Sequence, residues 1–345
     1  MMNNNEQNLY PIEVNDLYGY ADADGNIVIP CKWKDVWGFH NGRARVKDEN
    51  DKFGYINEQG IEMVPCIWKD IPYGFDEGFA TVQNDDDKWG LVDMNGKIVI
   101  PCRWKNRLSV DEGLVIVQND DDKFGVVDIN GNVVIPCKWK HLISECKGLF
   151  KVWNDDDKCG FIDMDGEEVI PSIWLYAYWF YNGFALVQND EEKWGFLDKN
   201  GNLAIPCTWK YAEYFYDGLA AVVNDDVMWG FINKKGQTVI PFKWRGARGF
   251  WEGMAPVMNN DWKWGFIDKN GENVIPCKWL DVEDFSEGLA VVVDENYKKG
   301  YIDLEGNLVI PCKWEDAKSF KNGQARVADE EWHKHTIDKS GNIID

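Results

Sequence analysis

The residues of this chain that could perform chemistry include short runs of carboxylates that recur at regular intervals. The runs are Asp85–Asp87, Asp120–Asp122, Asp155–Asp157 and Asp190–Glu192. Rows of carboxylates can hold Ca²⁺. The runs match no EF-hand loop, however, and a lysine follows each of them, as Lys88 follows the first. The pattern therefore favours solvated turns with local hydrogen bonds, and we expect no cofactor, with Ca²⁺ as the alternative.

Groups suited to catalysis are scarce. The chain has four histidines, and they form no His-x-x-x-His pair. It also contains no nucleophile elbow and no phosphate-binding glycine loop. Carboxylate pairs are too frequent in so acidic a chain to identify a general acid or base. We therefore expect a protein that is not an enzyme and has no catalytic residue.

Aromatic residues are more informative, because some of them interrupt a regular pattern. A tryptophan follows nearly every Ile-Pro pair, and this regularity assigns it to the core. Positions further along are normally polar, as at Asp281, Asp284 and Ser286. In consecutive repeats these positions become aromatic instead. The residues are Tyr176, Trp179, Tyr181, Tyr211, Tyr214, Tyr216 and Trp251.

These seven residues are our candidate partner-binding site. Equivalent positions of adjacent repeats align in space, so the seven predict one contiguous aromatic stripe. Aromatic residues at variable surface positions are typical of interface anchors. The structural alternative is additional packing between thicker segments.

All these positions belong to a unit of about 35 residues that recurs ten times. Each unit predicts three short strands, exemplified by Leu219–Val223, Trp89–Asp93 and Lys97–Ile100. A turn of Asp-x-x-Gly form joins the second strand to the third. The third strand is expected to end at a proline such as Pro101, because proline lacks the N–H group that a ladder needs. The spacing after the proline indicates a single helical turn or a compact loop.

The fold class predicted from these units is an all-β repeat protein. We expect about ten three-stranded antiparallel units stacked as an open superhelix or solenoid, with a propeller-like ring as the alternative. Residues 1–9 are expected to form a disordered polar leader. Residues 10–345 are expected to form a single array of nine full periods of 35 or 36 residues plus terminal half-units.

The repeated motif resembles the bacterial WG (KWG) repeat family. The sequence Lys-Trp-Gly-Phe-Ile/Leu-Asp occurs at Lys193–Asp198 and Lys263–Asp268, and a glycine turn and an Ile-Pro pair follow it. The likeness extends from about residue 10 to residue 345. The positions that depart from the motif are Phe53, Phe124, Cys159 and Lys299 for tryptophan and His335 for glycine. The resemblance implies a β-rich repeat with a binding function, and it transfers no catalytic residue.

Charge and cysteine usage limit the partners and the compartment. The net charge of −22 argues against binding to nucleic-acid phosphates or anionic membranes. Seven cysteines share the position after the proline, which elsewhere holds Ser172 and Phe242, so this is a packing position. Free thiols are typical of a reducing compartment. We expect a cytoplasmic monomer that binds neither nucleic acid directly nor a membrane.

The leading functional hypothesis is a non-catalytic protein- or peptide-binding scaffold. Extended repeat arrays offer large surfaces, and their variable positions can specify a partner. A glycan-binding module that uses the aromatic stripe is the first alternative. An acidic decoy for basic nucleic-acid-binding proteins is the second.

Overall fold

A computed structural model describes residues 9–72, 74–145 and 148–344. All secondary-structure elements assigned in these ranges are β-strands. They form ten antiparallel sheets in sequence order. Three sheets have three strands and seven have four, and none of them closes on itself. The predicted all-β repeat fold with ten sheets is confirmed. Among the described residues there is no helix that could cross a membrane.

The chain divides into two compact units between Ser172 and Ile173. The first five sheets belong to the first unit, with the boundary falling inside the last strand of the fifth. Their strands are β1 (Tyr10–Val14), β2 (Leu17–Ala21), β3 (Ile27–Trp33), β4 (Asp35–Val36), β5 (Arg43–Lys47), β6 (Phe53–Asn57), β7 (Glu62–Trp68), β8 (Phe79–Gln83), β9 (Trp89–Asp93), β10 (Ile98–Trp104), β11 (Val110–Asp111), β12 (Leu114–Gln118), β13 (Phe124–Asp128), β14 (Val133–Trp139), β15 (His141–Ser144), β16 (Phe150–Trp153), β17 (Cys159–Ile162) and β18 (Glu168–Trp174).

The second unit holds the remaining five sheets. Their strands are β19 (Tyr176–Ala177), β20 (Phe184–Gln188), β21 (Trp194–Asp198), β22 (Leu203–Trp209), β23 (Tyr211–Ala212), β24 (Leu219–Val223), β25 (Trp229–Asn233), β26 (Thr238–Trp244), β27 (Gly246–Ala247), β28 (Ala255–Met258), β29 (Trp264–Ile267), β30 (Asn273–Trp279), β31 (Asp281–Val282), β32 (Leu289–Val293), β33 (Lys299–Asp303), β34 (Leu308–Trp314), β35 (Asp316–Ala317), β36 (Gln324–Ala328) and β37 (Lys334–Asp338).

The sheet β23–β26 illustrates the repeat. Its two central strands, β24 and β25, have the bounds expected from the sequence pattern and pair along their whole length. The segment after Trp209 is not a helical turn. It forms the short strand β23, in which Ala212 pairs with Val222 of β24. This fourth strand was not predicted.

The third predicted strand does not end at its proline, so that prediction is wrong. In β26 the chain continues through Pro241 as far as Trp244, which pairs with Trp229. The register shifts between this pair and the pair of Ile240 with Phe231. A bulge of this kind leaves residues outside the hydrogen-bond ladder, and proline is tolerated at such a position.

The glycine at the Trp-Gly position of the repeat makes room for this bulged strand, whether or not tryptophan precedes it. At Gly54 an added Cβ would lie 2.6 Å from the carbonyl oxygen of Val64. The corresponding distance is 2.4–2.8 Å at all nine such glycines. His335 takes this position in the tenth sheet. There Ile337 of β37 forms a single bridge with Ile343. In the described residues, no strand equivalent to β26 follows β37 in this sheet.

The hydrophobic cores lie between consecutive sheets. Phe231 belongs to the core that also contains Trp244 and Phe250, whereas its neighbour Ile232 belongs to the preceding core with Phe215. Both faces of the strand are therefore buried, as predicted. The tryptophan after the proline is less than a tenth exposed in seven of the nine repeats, and the half-buried exceptions are Trp174 and Trp209.

The cysteines after the proline are packing residues, as predicted. All eight described cysteines are free thiols, and those after the proline are partly buried. Burial raises the pKa of the Cys66 thiol to about 12 and that of the Cys207 thiol to about 11. A thiol with a pKa this high carries little thiolate and is a poor nucleophile or ligand.

Most of the predicted leader, residues 1–9, lies outside the described residues. Leu9 is the exception. It is buried in the first core together with Tyr20 and Ile29, so the prediction of disorder is wrong for this residue.

Replacing Gly54 by alanine should lower the free energy of unfolding of the first unit by about 2 kcal/mol, because the new methyl group would displace the bulged strand. Urea denaturation would measure the change. Gly38→Ala is the matched control, since nothing lies within 4 Å of its added Cβ and its φ is not positive. Equal stability of the two variants would contradict the role assigned to Gly54.

Candidate binding site

The seven aromatic residues predicted to bind a partner all lie in the second unit, and none of them is fully buried. The exposed members, each more than two-fifths accessible, are Tyr176, Tyr181, Tyr211 and Trp251. The half-buried members are Trp179, Tyr214 and Tyr216. Tyr214 and Tyr216 pack against hydrophobic cores, as the structural alternative expects, whereas the exposed members keep a large part of their rings accessible.

Four of the seven form a continuous row of rings. The ring centroid of Tyr181 lies 5.4 Å from that of Tyr214 and 5.3 Å from that of Tyr216. The ring of Tyr216 lies 5.0 Å from that of Trp251. Trp179 packs edge-on against its neighbour in sequence at 5.2 Å and does not line the cleft described below.

Two more of the seven join the row through residues that were not predicted. Tyr176 and Tyr211 lie 6.2 and 6.3 Å from Trp194. Tyr178 lies 5.8 Å from the same tryptophan and 6.4 Å from Tyr214. The structure therefore brings six of the seven predicted residues into one connected aromatic surface.

This surface borders a cleft of about 420 Å³. Its aromatic lining consists of Tyr178, Trp194, Tyr211, Tyr214, Tyr216 and Trp251. Gly249 also lines the cleft, and a Cβ at this position would lie 2.3 Å from the Tyr216 ring. The φ of Gly249 is not positive. The glycine is therefore required by the space that the ring occupies, and not by the backbone conformation.

The polar part of the lining is formed by Glu213, Asp284 and Arg248. Burial raises the pKa of Glu213 to about 7, and the Asp284 charge adds to this effect, while the Gly249 N–H group and Arg248 oppose it. Burial also raises the pKa of Asp284. Its Oδ1 atom is buried and accepts no hydrogen bond from the described residues.

Arg248 does not neutralise these two carboxyl groups completely. Its guanidinium donates hydrogen bonds to the carbonyl oxygen of Val282 and, at 3.1 Å, to Asp281 Oδ1. It also lies over the ring of Trp264, 4.6 Å from the centroid. The arginine is held by three partners, so its position is fixed and its charge is shared with Asp281.

Glu213, Arg248 and Asp284 are site residues that the aromatic pattern could not reveal. For Glu213 and Arg248 a signal was nevertheless present at the position four residues after the tryptophan that follows the proline. In the second unit this position holds, in order, Tyr178, Glu213, Arg248, Glu283 and Lys318. From Glu213 to Lys318 the charge at this equivalent position alternates in sign. The alternation indicates a polar surface that differs from one repeat to the next.

The acidic turns have the local hydrogen bonds expected of solvated turns. Asn84 Oδ1 accepts hydrogen bonds from the N–H groups of Asp86 and Lys88, at 3.1 and 2.9 Å. The Lys88 side chain forms an ion pair with Asp120 in the next turn. No cluster of three or more potential metal ligands occurs in the described part of the chain. The absence of a cofactor stays a prediction.

The last four of these turns carry a second exposed apolar row that was not predicted. The residues Val227, Trp262, Tyr297 and Trp332 have φ values of 60–62° and are 59–75% exposed. Earlier repeats place an acidic residue here, as at Asp122. Adjacent turns lie close together, since Lys263 forms an ion pair with Glu295. Large side chains are unfavourable in left-handed backbone, and such residues cluster at functional sites.

Replacing Trp262 by asparagine should raise the free energy of unfolding of the second unit by about 1 kcal/mol, because asparagine tolerates the left-handed conformation. Thermal and urea unfolding would measure the gain. Tyr10→Asn serves as a control for removal of an exposed ring from an ordinary strand, and it should not stabilise the protein. Loss of stability in the Trp262 variant would show that the ring makes stabilising contacts.

Solved structures match this chain at low similarity. A computationally designed protein, Ika8, is 10% identical with a TM-score of 0.37 and covers 77% of this chain and 94% of its own. BamB from Moraxella catarrhalis is 12% identical with a TM-score of 0.30, covering 87% and 92%. The extracellular domain of a putative hybrid two component system from B. thetaiotaomicron is 9% identical with a TM-score of 0.31, covering 96% and 54%. No curated protein matches the sequence.

The sequence model described as "WG containing repeat" matches nine segments of this chain. The segments are 18–53, 53–88, 89–123, 124–142, 160–192, 194–227, 229–261, 264–298 and 300–329. They cover most of the chain, and their period is that of the sheets. The chain therefore belongs to the WG containing repeat family.

Proposed function

We propose that this WG-repeat protein is a non-catalytic scaffold that binds a protein or peptide, with the aromatic cleft of the second unit as its docking site. The observation that carries the proposal is the exposure of Tyr181, Tyr211 and Trp251 beside a cleft. The core of each repeat is filled by other residues, such as Phe231 and Trp244. The exposed rings are thus available for contact with a partner.

The composition of the cleft is that of an interface anchor point. Tyrosine, tryptophan and arginine are the residue types that contribute most to binding energy in protein interfaces. The rings of Tyr216 and Trp251 are already in contact, so little side-chain freedom is lost on binding. The exposed turn residues of the same unit, such as Trp262 and Tyr297, add apolar surface suited to a macromolecule.

The proposed setting is the cytoplasm, and the proposed active form is a monomer. The free thiols support a reducing compartment. The net charge of −22 disfavours direct contact with nucleic-acid phosphates and anionic membranes. The same charge favours partners with a basic surface.

Glycan binding is the second candidate function. The flat rings of Tyr211 and Trp251 could stack on a sugar, and the carboxyl groups of Glu213 and Asp284 could accept hydrogen bonds from its hydroxyl groups. A glycan array would detect this activity directly. An acidic decoy would instead bind through its overall charge, and its binding would not depend on the cleft.

Cross-linking pull-down from a lysate of the source cells should recover the same partner with the wild-type protein and with a control double variant, Tyr10→Ser/Ile61→Ser, which removes exposed side chains of the first unit. Tyr181→Ser/Trp251→Ser should reduce recovery at least tenfold, because it removes one exposed ring that lines the cleft, Trp251, and one from the adjoining aromatic row, Tyr181. Equal recovery by the two double variants would refute docking at the cleft. Loss of all binding at high salt would favour the decoy.

A further inference from the structure

We infer that the cleft holds a lysine or arginine side chain of the partner, with its cationic group against Glu213 and Asp284 and between the surrounding rings. The inference rests on the proposed function, because it names the part of the partner that enters the cleft. It is carried by the charges and the aromatic walls of one cavity.

The negative charge of the cleft could be balanced by one more cation. Glu213 and Asp284 both line it, and Arg248 is the one basic residue among the described lining residues. That arginine also bonds to Asp281, which lies outside the lining. Two carboxylates thus share part of one positive charge, and a cation supplied by a partner would balance them.

The walls of the cleft attract a cation as well. Tyr211, Tyr214, Tyr216 and Trp251 all line it, and the faces of such rings attract ammonium and guanidinium groups, most strongly where water is excluded. The absence of a side chain at Gly249 keeps the cleft open beside the ring of Tyr216. The cleft therefore combines space, aromatic faces and carboxylates, which is the environment that a cationic side chain requires.

Binding of a cation should depend on pH through Glu213. The groups that face its carboxyl are Asp284 and Arg248 across the cleft and Tyr211 and Tyr216 on its own segment. The pKa of Glu213 is about 7, so the carboxylate that attracts a cation predominates above this pH. Affinity should fall about tenfold as the pH falls from 8 to 6.

The test uses two small probes that differ in charge, N-acetyl-lysine amide and N-acetyl-norleucine amide. Their binding to the full chain would be measured by ligand-observed NMR and by the fluorescence of Trp194 and Trp251, which line the cleft. The variants are Glu213→Gln and, as a matched control, Glu283→Gln. Glu283 occupies the same repeat position, but it accepts a hydrogen bond from Ser319 at 2.8 Å and does not line the cleft.

The wild-type protein and the Glu283→Gln control should bind the lysine probe at least tenfold more tightly than the norleucine probe. Glu213→Gln should lose most of this preference and its dependence on pH, while circular dichroism shows that it is folded. Asp284→Asn provides a second variant with the same expected loss. Equal binding of the two probes, or an unchanged preference in both variants, would overturn the inference.

The outcomes separate this inference from the proposed function. A cleft-dependent protein partner whose binding does not require a basic residue would leave the scaffold function intact and refute the cationic anchor. A lysine preference that both carboxyl variants abolish, without any partner whose recovery depends on Tyr181 and Trp251, would support the anchor and refute the scaffold.

Discussion

In nine of the ten sheets, the third strand depends on the close approach of one carbonyl oxygen to one glycine. The oxygen before the proline lies 2.4–2.8 Å from where a glycine Cβ would stand, so any other residue would push the third strand away. With glycine present, the bulged strand lies over the second strand and carries a residue such as Trp244 into the core. Because the two faces of β25 enter different cores, the sheet β23–β26 is stabilised by both of its neighbours within the second unit.

This arrangement separates the positions that build the fold from those that are free to differ. The positions that build the fold are the Trp-Gly position, the turn glycine and the tryptophan after the proline. The residues that follow the tryptophan after the proline lie on the short first strand of the next sheet, such as β23, and in the turn after it. These positions accept aromatic residues, charged residues and glycine, as at Tyr214, Glu213 and Gly249. The cleft forms where these variable positions bring rings and charges together, beside core residues such as Leu186 and Trp194 that also line it.

Periodicity in the sequence was sufficient to predict what is local and regular. The strands Leu219–Val223 and Trp89–Asp93, the ten sheets and the connected aromatic residues all follow from repeated spacing. The two-residue strand β23 was missed because so short a strand has no periodicity. Glu213 and Asp284 were missed for another reason: they come from alternate repeats, and their proximity across the segment that contains Gly249 depends on how the repeats stack.

The electrostatics of the cleft connect the site to stability. An ordinary glutamate has a pKa of 4.5, whereas that of Glu213 is about 7. The folded protein therefore binds a proton more tightly than the unfolded chain, and this contribution to stability is complete below pH 4.5 and is lost as the pH rises through 7. At neutral pH the buried carboxylate costs on the order of 3 kcal/mol relative to an unperturbed one. A cation in the cleft would recover part of this cost, so the same burial that destabilises the Glu213 carboxylate would strengthen its attraction for a cation.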